Sequence, residues 1–337
     1  MKSKLLIAVL LIVITGGVFF AWDFIFKKSA SAAALKPADA ANGVTGNAAG
    51  DVADTAVIRI SAGEAADKAA VTKNMIIGHT CTKLGLIPEK WVEKAKEELH
   101  IAYGHTSHGS QLVGGMLGLT KFKGMPFVYK KGLPEDSIDF RDNPFGLKMD
   151  LGAPNNKEWA TATRKYLAEN KDVNVVMWSW CGQLSKENSG YVNNYLNLMQ
   201  KLEKEFPKVR FVYMTGHLDG TAEKGKLMKN NKQIRDFCLK NNKVLYDFAD
   251  IESYDPDGVY YGDRYAKDSC DYDSNGDRKP DENWAKQWQD THEKGVDWFE
   301  CPSPHSQPLN ANLKAYAAWW LMARLAGWDG TPQAEVG

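Results

Sequence analysis

The sequence has no net charge and few cysteines, and each of these features excludes some classes of function. Lys plus Arg and Asp plus Glu number 42 each among 337 residues, so no overall charge draws the chain toward nucleic acid or anionic lipid. The five cysteines form no CxxC or CxxCH pattern, which argues against a zinc ribbon and c-type haem. With 44% apolar and 25% charged residues, the composition is that of a globular protein. Partners must therefore be recognised by a local site.

The cysteine count is odd, so complete pairing would leave one thiol over. Cys270 and Cys301 flank one irregular region, and a disulfide between them is one interpretation. Buried free thiols are the other, because unpaired cysteine packs as a small apolar residue. The sequence leaves both open.

The amino terminus has the pattern of an export signal. Lys2 and Lys4 precede an unbroken apolar run over residues 5–22. That run approaches the length of a membrane-spanning helix, so residues 1–28 are predicted to be a signal peptide or a membrane anchor. Alternate small residues just beyond favour cleavage. We expect an exported protein, periplasmic, cell-surface or secreted, that touches a membrane only through this segment.

Composition divides the rest of the chain into a linker and one folded domain. Residues 29–70 are rich in Ala, Gly, Asp and Val and almost free of aromatics, as flexible linkers are. Residues 71–330 alternate strand-length apolar runs with amphipathic helical stretches and carry an insertion at 252–300. Alternating strands and helices predict an α/β fold, a flavodoxin-like three-layer sandwich with a central parallel sheet. The predicted strands are 99–103, 173–178, 210–214 and 243–248, and the predicted helices are 158–169, 191–206, 226–241 and 313–325.

Polar loops follow several of these strands. Sites in parallel sheets lie beyond the carboxyl ends of the strands. The loops at Ser107, Gly182, His217 and Asp250 all fall on that edge. We therefore expect one pocket to hold all four.

Two segments far apart in the sequence suggest nucleophilic catalysis. Residues 103–110 read YGHTSHGS directly after a predicted strand, and residues 301–305 read CPSPH before the closing helix. A serine hydroxyl becomes a good nucleophile when an imidazole takes its proton, and the two need only meet in space. Ser107 and His305 are the predicted pair, with Ser110 as the competing nucleophile.

With these segments, residues 98–328 resemble the SGNH, or GDSL-like, hydrolase superfamily. The resemblance implies a serine esterase or deacetylase without a catalytic cofactor, in which Ser107 attacks an ester and His305 is the base. It also implies that the Ser107 and Gly152 N–H groups and the Gln183 amide stabilise the oxyanion, with Gly182 as the matching glycine of the family's third block. Pro302 stands where the family places the triad acid, which leaves Asp297 and Glu300 as candidates for the third member.

Aromatic residues and histidines support two other interpretations. The insertion is rich in Tyr and Trp, which stack on sugar rings or simply pack in the core. They suggest a glycan or other small ester as substrate, or a non-catalytic carbohydrate- or surface-binding domain. Alternatively His105, His108 and His217 could bind the metal of a metal-dependent hydrolase.

The insertion also contains a calcium-loop pattern. Residues 271–282 fit D-x-[DN]-x-[DN]-G-x5-E. Oxygen ligands at alternate positions suit a hard cation, and Gly276 permits the tight turn. A structural Ca²⁺ is therefore predicted, the alternative being a solvated acidic turn. The proposed ligands are Asp271, Asp273, Asn275, Asp277 and Glu282.

Overall fold

The computed structural model describes residues 75–132, 135–146 and 148–331. The predicted signal or anchor at 1–28 and the linker at 29–70 lie outside these residues and stay predictions. Among the described residues, no helix is both long and apolar enough to cross a membrane.

A six-stranded, all-parallel sheet forms the centre of the molecule, in the order β1-β6-β5-β4-β2-β3. From β2 onward the strands follow the flavodoxin-like order, with β1 added beside β6. The predicted α/β sandwich is thereby confirmed. The strands are β1 Ile76–Ile77, β2 His100–Gly104, β3 Asp139–Asp142, β4 Val175–Trp178, β5 Arg210–Met214 and β6 Val244–Tyr246.

Helices cover both faces of the sheet because each strand alternates its apolar side chains between two cores. Ile101 and Tyr103 of β2 point into one core and Ala102 points into the other. The first core packs against α1, α2 and α8, and the second against α3, α4 and α5. The helices are α1 Glu89–Glu98, α2 Ser110–Lys123, α3 Glu158–Glu169, α4 Ser189–Glu205, α5 Lys226–Lys240, α6 Phe248–Ile251, α7 Trp284–Thr291 and α8 Pro308–Leu325.

Helix α2 packs closely on α8 and on the segment before it, through glycines on α2. A Cβ on Gly115 would lie 2.0 Å from the Ala311 carbonyl oxygen, and one on Gly114 would lie 2.1 Å from that of Pro302. Beside this contact the fully buried Lys314 ammonium bonds the Glu252 carboxylate at 2.8 Å and also the Gln111 amide oxygen. The closing helix is thus joined to α2 and to the chain after α6.

The five cysteines all lie in the described residues and all are free thiols. Of the two interpretations of Cys270 and Cys301, buried free thiols are confirmed and a disulfide between them is not formed. Cys270 Sγ lies 3.4 Å from the Ser306 hydroxyl, and Cys301 Sγ accepts from the Asn312 amide. Each thiol has its own polar neighbour, as buried unpaired cysteines can.

Candidate active site

The site lies where the strand order reverses, between β2 and its neighbour β4. In a doubly wound sheet the loops diverge there and leave a crevice beyond the carboxyl ends of the strands. The chain leaving β2 brings Ser107 and His108 to this crevice, and the chain leaving β4 brings Cys181. Residues remote in sequence thus meet because their strands are adjacent.

Cys181, His108 and Asp268 form a continuous hydrogen-bonded line. His108 Nδ1 lies 2.9 Å from Cys181 Sγ, and its Nε2 lies 3.0 Å from Asp268 Oδ2. His108 and Asp268 are both mostly buried, with side chains 13% and 18% exposed. A thiol, an imidazole and an orienting carboxylate in this order have the geometry of a nucleophilic triad.

Cys181 and His108 stabilise each other's charged forms. The hydrogen bond from His108 lowers the pKa of the Cys181 thiol to about 7, although burial opposes the shift. Burial also disfavours the imidazolium, yet hydrogen bonds to Asp268 and Cys181 raise the pKa of His108 to about 9. Between these values the pair is a thiolate and an imidazolium, and the thiolate is the nucleophilic form of cysteine.

His217 lies against His108 but is held differently. Their ring centroids are 3.7 Å apart and the planes differ by 6°. His217 Nδ1 lies 2.8 Å from the Leu218 carbonyl oxygen, whereas its buried Nε2 has no hydrogen-bond partner among the described residues. Burial and the neighbouring His108 lower the pKa of His217, so its ring is neutral beside the imidazolium.

The structure brings together two of the three histidines of the metal interpretation. Ligand atoms of His108, His217 and Asp268 lie within 4.8 Å of one another. Both ring nitrogens of His108 are hydrogen-bonded, to Cys181 and Asp268, and the metal interpretation stays a prediction. His105 is elsewhere, with Nε2 2.7 Å from Asp142 Oδ1.

The predicted serine and histidine lie at this site but do not bond each other. The exposed Ser107 hydroxyl lies 4.0 Å from Cys181 Sγ. His305 is exposed and stacks on His108 with centroids 4.6 Å apart. The Ser110 hydroxyl donates to the Ser107 carbonyl oxygen at 2.5 Å, which occupies its proton. The imidazole that hydrogen-bonds a potential nucleophile is thus that of His108, and its partner is Cys181 rather than Ser107.

The candidates for the triad acid have other partners. Asp297 accepts the Glu293 N–H at 2.9 Å, and Glu300 pairs with the Lys294 ammonium at 2.8 Å. Neither carboxylate hydrogen-bonds His305 in the described residues. The only acid bonded to a histidine of the crevice there is Asp268, which the sequence analysis missed.

Two predicted oxyanion donors are committed to a buried carboxylate, Asp150. Its Oδ1 accepts the Gly152 N–H at 2.8 Å and the Gln183 amide N–H at 3.0 Å. The other end of that amide accepts the Cys181 N–H at 2.9 Å. Gly152 and Gln183 therefore fix the Cys181 backbone instead of facing an oxyanion, and a Cβ on Gly152 would come within 2.3 Å of Gln183 Cγ.

Other backbone groups are free to bind an oxyanion. The N–H groups of Ser107 and His108, in the turn before α2, donate to no group in the described part of the chain. The helix dipole of α2 adds positive potential at this turn. Gly182, the remaining predicted glycine, directs its N–H at the Cys181 sulfur and helps to lower the pKa of that thiol.

The calcium-loop residues form a tight hairpin turn between β7 Asp271–Tyr272 and β8 Glu282–Asn283. Asp273 accepts backbone N–H groups from Gly276 at 2.7 Å and Arg278 at 2.7 Å. Asn275 and Asp277 likewise accept backbone N–H groups, from Asp277 and Lys279. Glu282 accepts from the Gln287 amide at 3.1 Å. These bonds suffice to hold the turn, and a structural Ca²⁺ stays a prediction from spacing alone.

Asp250 is not part of the Cys181 line. It bonds the ring of His79 at 2.7 Å, beside β1. Three of the four residues expected together, Ser107, Gly182 and His217, thus lie around Cys181 and His108, while Asp250 pairs with His79.

Comparison with protein-family models, with curated proteins and with solved structures found no match.

Proposed function

We propose that the protein is an acyl hydrolase whose nucleophile is Cys181. The observation that carries this proposal is the hydrogen-bonded line from Cys181 Sγ through His108 to Asp268. It supplies a nucleophile, a proton donor and an orienting acid in one crevice. The reaction class is the acyl transfer expected from the sequence, but the reacting residues differ.

The first half-reaction forms an acyl-enzyme. The Cys181 thiolate attacks the substrate carbonyl carbon, and the new oxyanion is held by the Ser107 and His108 N–H groups. As the tetrahedral intermediate collapses, His108 Nδ1 gives its proton to the leaving group and the substrate bond breaks. Asp268 keeps Nε2 protonated and the ring in position throughout.

The second half-reaction is hydrolysis. Water attacks the thioester carbon and gives a proton to the now neutral Nδ1 of His108. The carbon–sulfur bond then breaks, which releases the acid and restores the thiolate and imidazolium. No cofactor is required by these steps.

A serine esterase is the second candidate. It is favoured by the exposed Ser107 hydroxyl at the same crevice, 4.0 Å from Cys181 Sγ, and by the resemblance to the SGNH superfamily. An exported enzyme acting on a small or glycan ester would fit either nucleophile.

Chemical labelling of the full chain tests the nucleophile. With limiting iodoacetamide near neutral pH, we expect Cys181 to be alkylated about tenfold faster than an ordinary thiol, because about half of it is thiolate. The other four cysteines are internal controls, since burial raises the pKa of each. Peptide mapping by mass spectrometry gives the rates.

Three variants separate the candidates. His108→Gln should slow Cys181 labelling, and Cys181→Ala should abolish turnover of acyl probes while Ser107→Ala retains it. Fluorophosphonate modification of Ser107, with turnover lost in Ser107→Ala alone, would establish the serine esterase instead. Binding of a glycan with no labelling at either residue would indicate a non-catalytic domain.

A further inference from the structure

The His217 imidazole has a buried acceptor atom with nothing bound to it. The residue is 8% exposed, and its Nε2 has no hydrogen-bond partner among the described residues. Because Nδ1 faces the Leu218 carbonyl oxygen at 2.8 Å, Nδ1 carries the proton and Nε2 presents a lone pair. Buried polar atoms normally have partners, so an orphan at a reaction site indicates a ligand group.

His217 Nε2 lies near the residue that follows Cys181. A Cβ placed on Gly182 would be 3.9 Å from this nitrogen. The ring is stacked on that of His108, with centroids 3.7 Å apart, and His108 bonds Cys181 Sγ. The unpartnered acceptor is thus next to the group that would donate a proton.

The ring is held rigidly by the Leu218 peptide group. The Leu218 carbonyl accepts both His217 Nδ1–H and the Asp268 N–H, the latter at 3.1 Å. The Leu218 N–H in turn donates to Glu252, which the buried Lys314 ammonium holds at 2.8 Å. The Leu218 carbonyl thus holds both the ring of His217 and the backbone of Asp268. Selective hydrogen bonding requires an acceptor fixed in this way.

We propose that His217 Nε2 accepts the N–H of a secondary amide, which makes amides rather than esters the preferred substrates. This inference rests on the proposed acyl hydrolase function. An ester presents only oxygen lone pairs at that position, and they would face the lone pair of His217 without a hydrogen between them.

The same contact would direct the chemistry of amide cleavage. In the tetrahedral intermediate the leaving nitrogen carries a hydrogen and a lone pair. With the hydrogen held by His217, the lone pair can turn toward the His108 imidazolium and take its Nδ1 proton. The carbon–nitrogen bond then breaks and the amine leaves neutral, with the acyl group on Cys181.

Three matched probes test the inference: 4-nitroacetanilide, its N-methyl derivative, which lacks the N–H, and 4-nitrophenyl acetate. The readout is the rate of Cys181 acylation in the full chain, expressed as the amide-to-ester ratio so that intrinsic reactivities cancel between variants. His217→Phe keeps the stacking surface but removes the acceptor, and His217→Gln restores one. His100→Phe makes the same change at the opposite edge of the sheet.

We expect His217→Phe to lower the amide-to-ester ratio by about tenfold to a hundredfold, because a buried hydrogen bond is lost. His217→Gln should recover part of it, His100→Phe should not change it, and the N-methyl anilide should show no dependence on His217. An equal fall for every probe would make His217 a structural residue and overturn the inference, as would no change at all, which leaves only water at Nε2.

Iodoacetamide labelling tells the two levels of failure apart. Fast labelling of Cys181 without the expected change in ratio overturns the amide preference alone. Slow labelling of Cys181 overturns the proposed nucleophile, and the amide preference falls with it.

Discussion

Two histidine–aspartate pairs lie at opposite edges of the same sheet. At the amino edge, His100 Nδ1 bonds Asp139 at 2.8 Å; at the carboxyl edge, His108 Nε2 bonds Asp268 at 3.0 Å. Asp139 is also held by both Arg141 donors, at 3.0 and 2.7 Å. Asp268 has only His108 on its carboxylate in the described residues, and the far nitrogen of His108 meets a thiol. The same pair is thus an anchor in one place and part of a nucleophilic line in the other.

The two pairs differ in the group that contacts each of them: Arg141 at the amino edge and Cys181 at the carboxyl edge. Arg141 also bonds Asp172, which lowers the pKa of that exposed carboxyl. The guanidinium thus holds both carboxylates of the amino-edge cluster, and no thiol or hydroxyl of the described residues bonds the other ring nitrogen of His100. At the carboxyl edge, the imidazolium charge is balanced by Asp268 on one side and is available to Cys181 on the other.

The largest contrast is expected in turnover. Asp268→Asn should lower kcat/KM by about a hundredfold or more, because the amide favours the wrong tautomer of His108 and cannot balance the imidazolium. Asp139→Asn is the matched control at the other edge and should stay near wild type. Steady-state kinetics on any probe that acylates Cys181 measures both. Equal losses would remove the distinction between the two pairs.

Loss of His108 should change the thiolate fraction of Cys181 near neutral pH by about an order of magnitude, whereas loss of His100 should not change it. The imidazolium favours the thiolate, so the ultraviolet absorbance of the thiolate should appear as pH rises through about 7. His108→Gln should move this transition up toward the ordinary thiol value of about 8.5, whereas His100→Gln should leave it in place. Turnover should fall below about 7 as the thiol protonates and above about 9 as His108 loses its proton. A transition that ignores His108 would contradict the ion pair.

The smallest contrast is in stability, and its order should be reversed. Asp139→Asn loses charged hydrogen bonds to Arg141 and should lower the free energy of unfolding by about 1–3 kcal/mol. Asp268→Asn should cost less, because His108 can release its proton when the carboxylate is lost, whereas the Arg141 guanidinium stays charged. Chemical denaturation of both variants decides the order. A greater loss for Asp268→Asn would mean that the carboxyl-edge pair is chiefly structural.

Much of the sheet could be predicted, because buried parallel strands are short apolar runs. The strand at 210–214 and the helix at 158–169 match the structure, and the other predicted elements differ at their ends. Helix α2 was not predicted, since Gly114, Gly115 and Gly118 are poor helix formers. Their purpose is visible only in the folded structure: a Cβ on Gly115 would collide with the α8 backbone, and one on Gly114 or Gly118 would collide with residues 299–302, just before that helix. Tertiary packing here overrides local preference.

The sequence predicts where the candidate site lies, but not the hydrogen bonds from Cys181 through His108 to Asp268 that the structure places there. The sequence placed Ser107 and Gly182 at the correct edge because both follow predicted strands. Cys181 carries the same signal, a reactive residue type directly after a buried strand, but the family resemblance points to Ser107. Asp268 had no usable signal: it lies in the irregular insertion, 160 residues from the histidine it bonds. Only the fold could bring that pair together.

The close packing of α8 on α2 has a consequence for when the protein becomes active. The turn that carries His108 leads directly into α2, and α2 is seated on a helix that follows every other part of the site along the chain. A chain still being synthesised has no α8 against which to place this turn. We therefore expect the Cys181 thiol and the His108 imidazole to meet only once the closing helix has packed on α2, so that their hydrogen bond depends on completion of the domain.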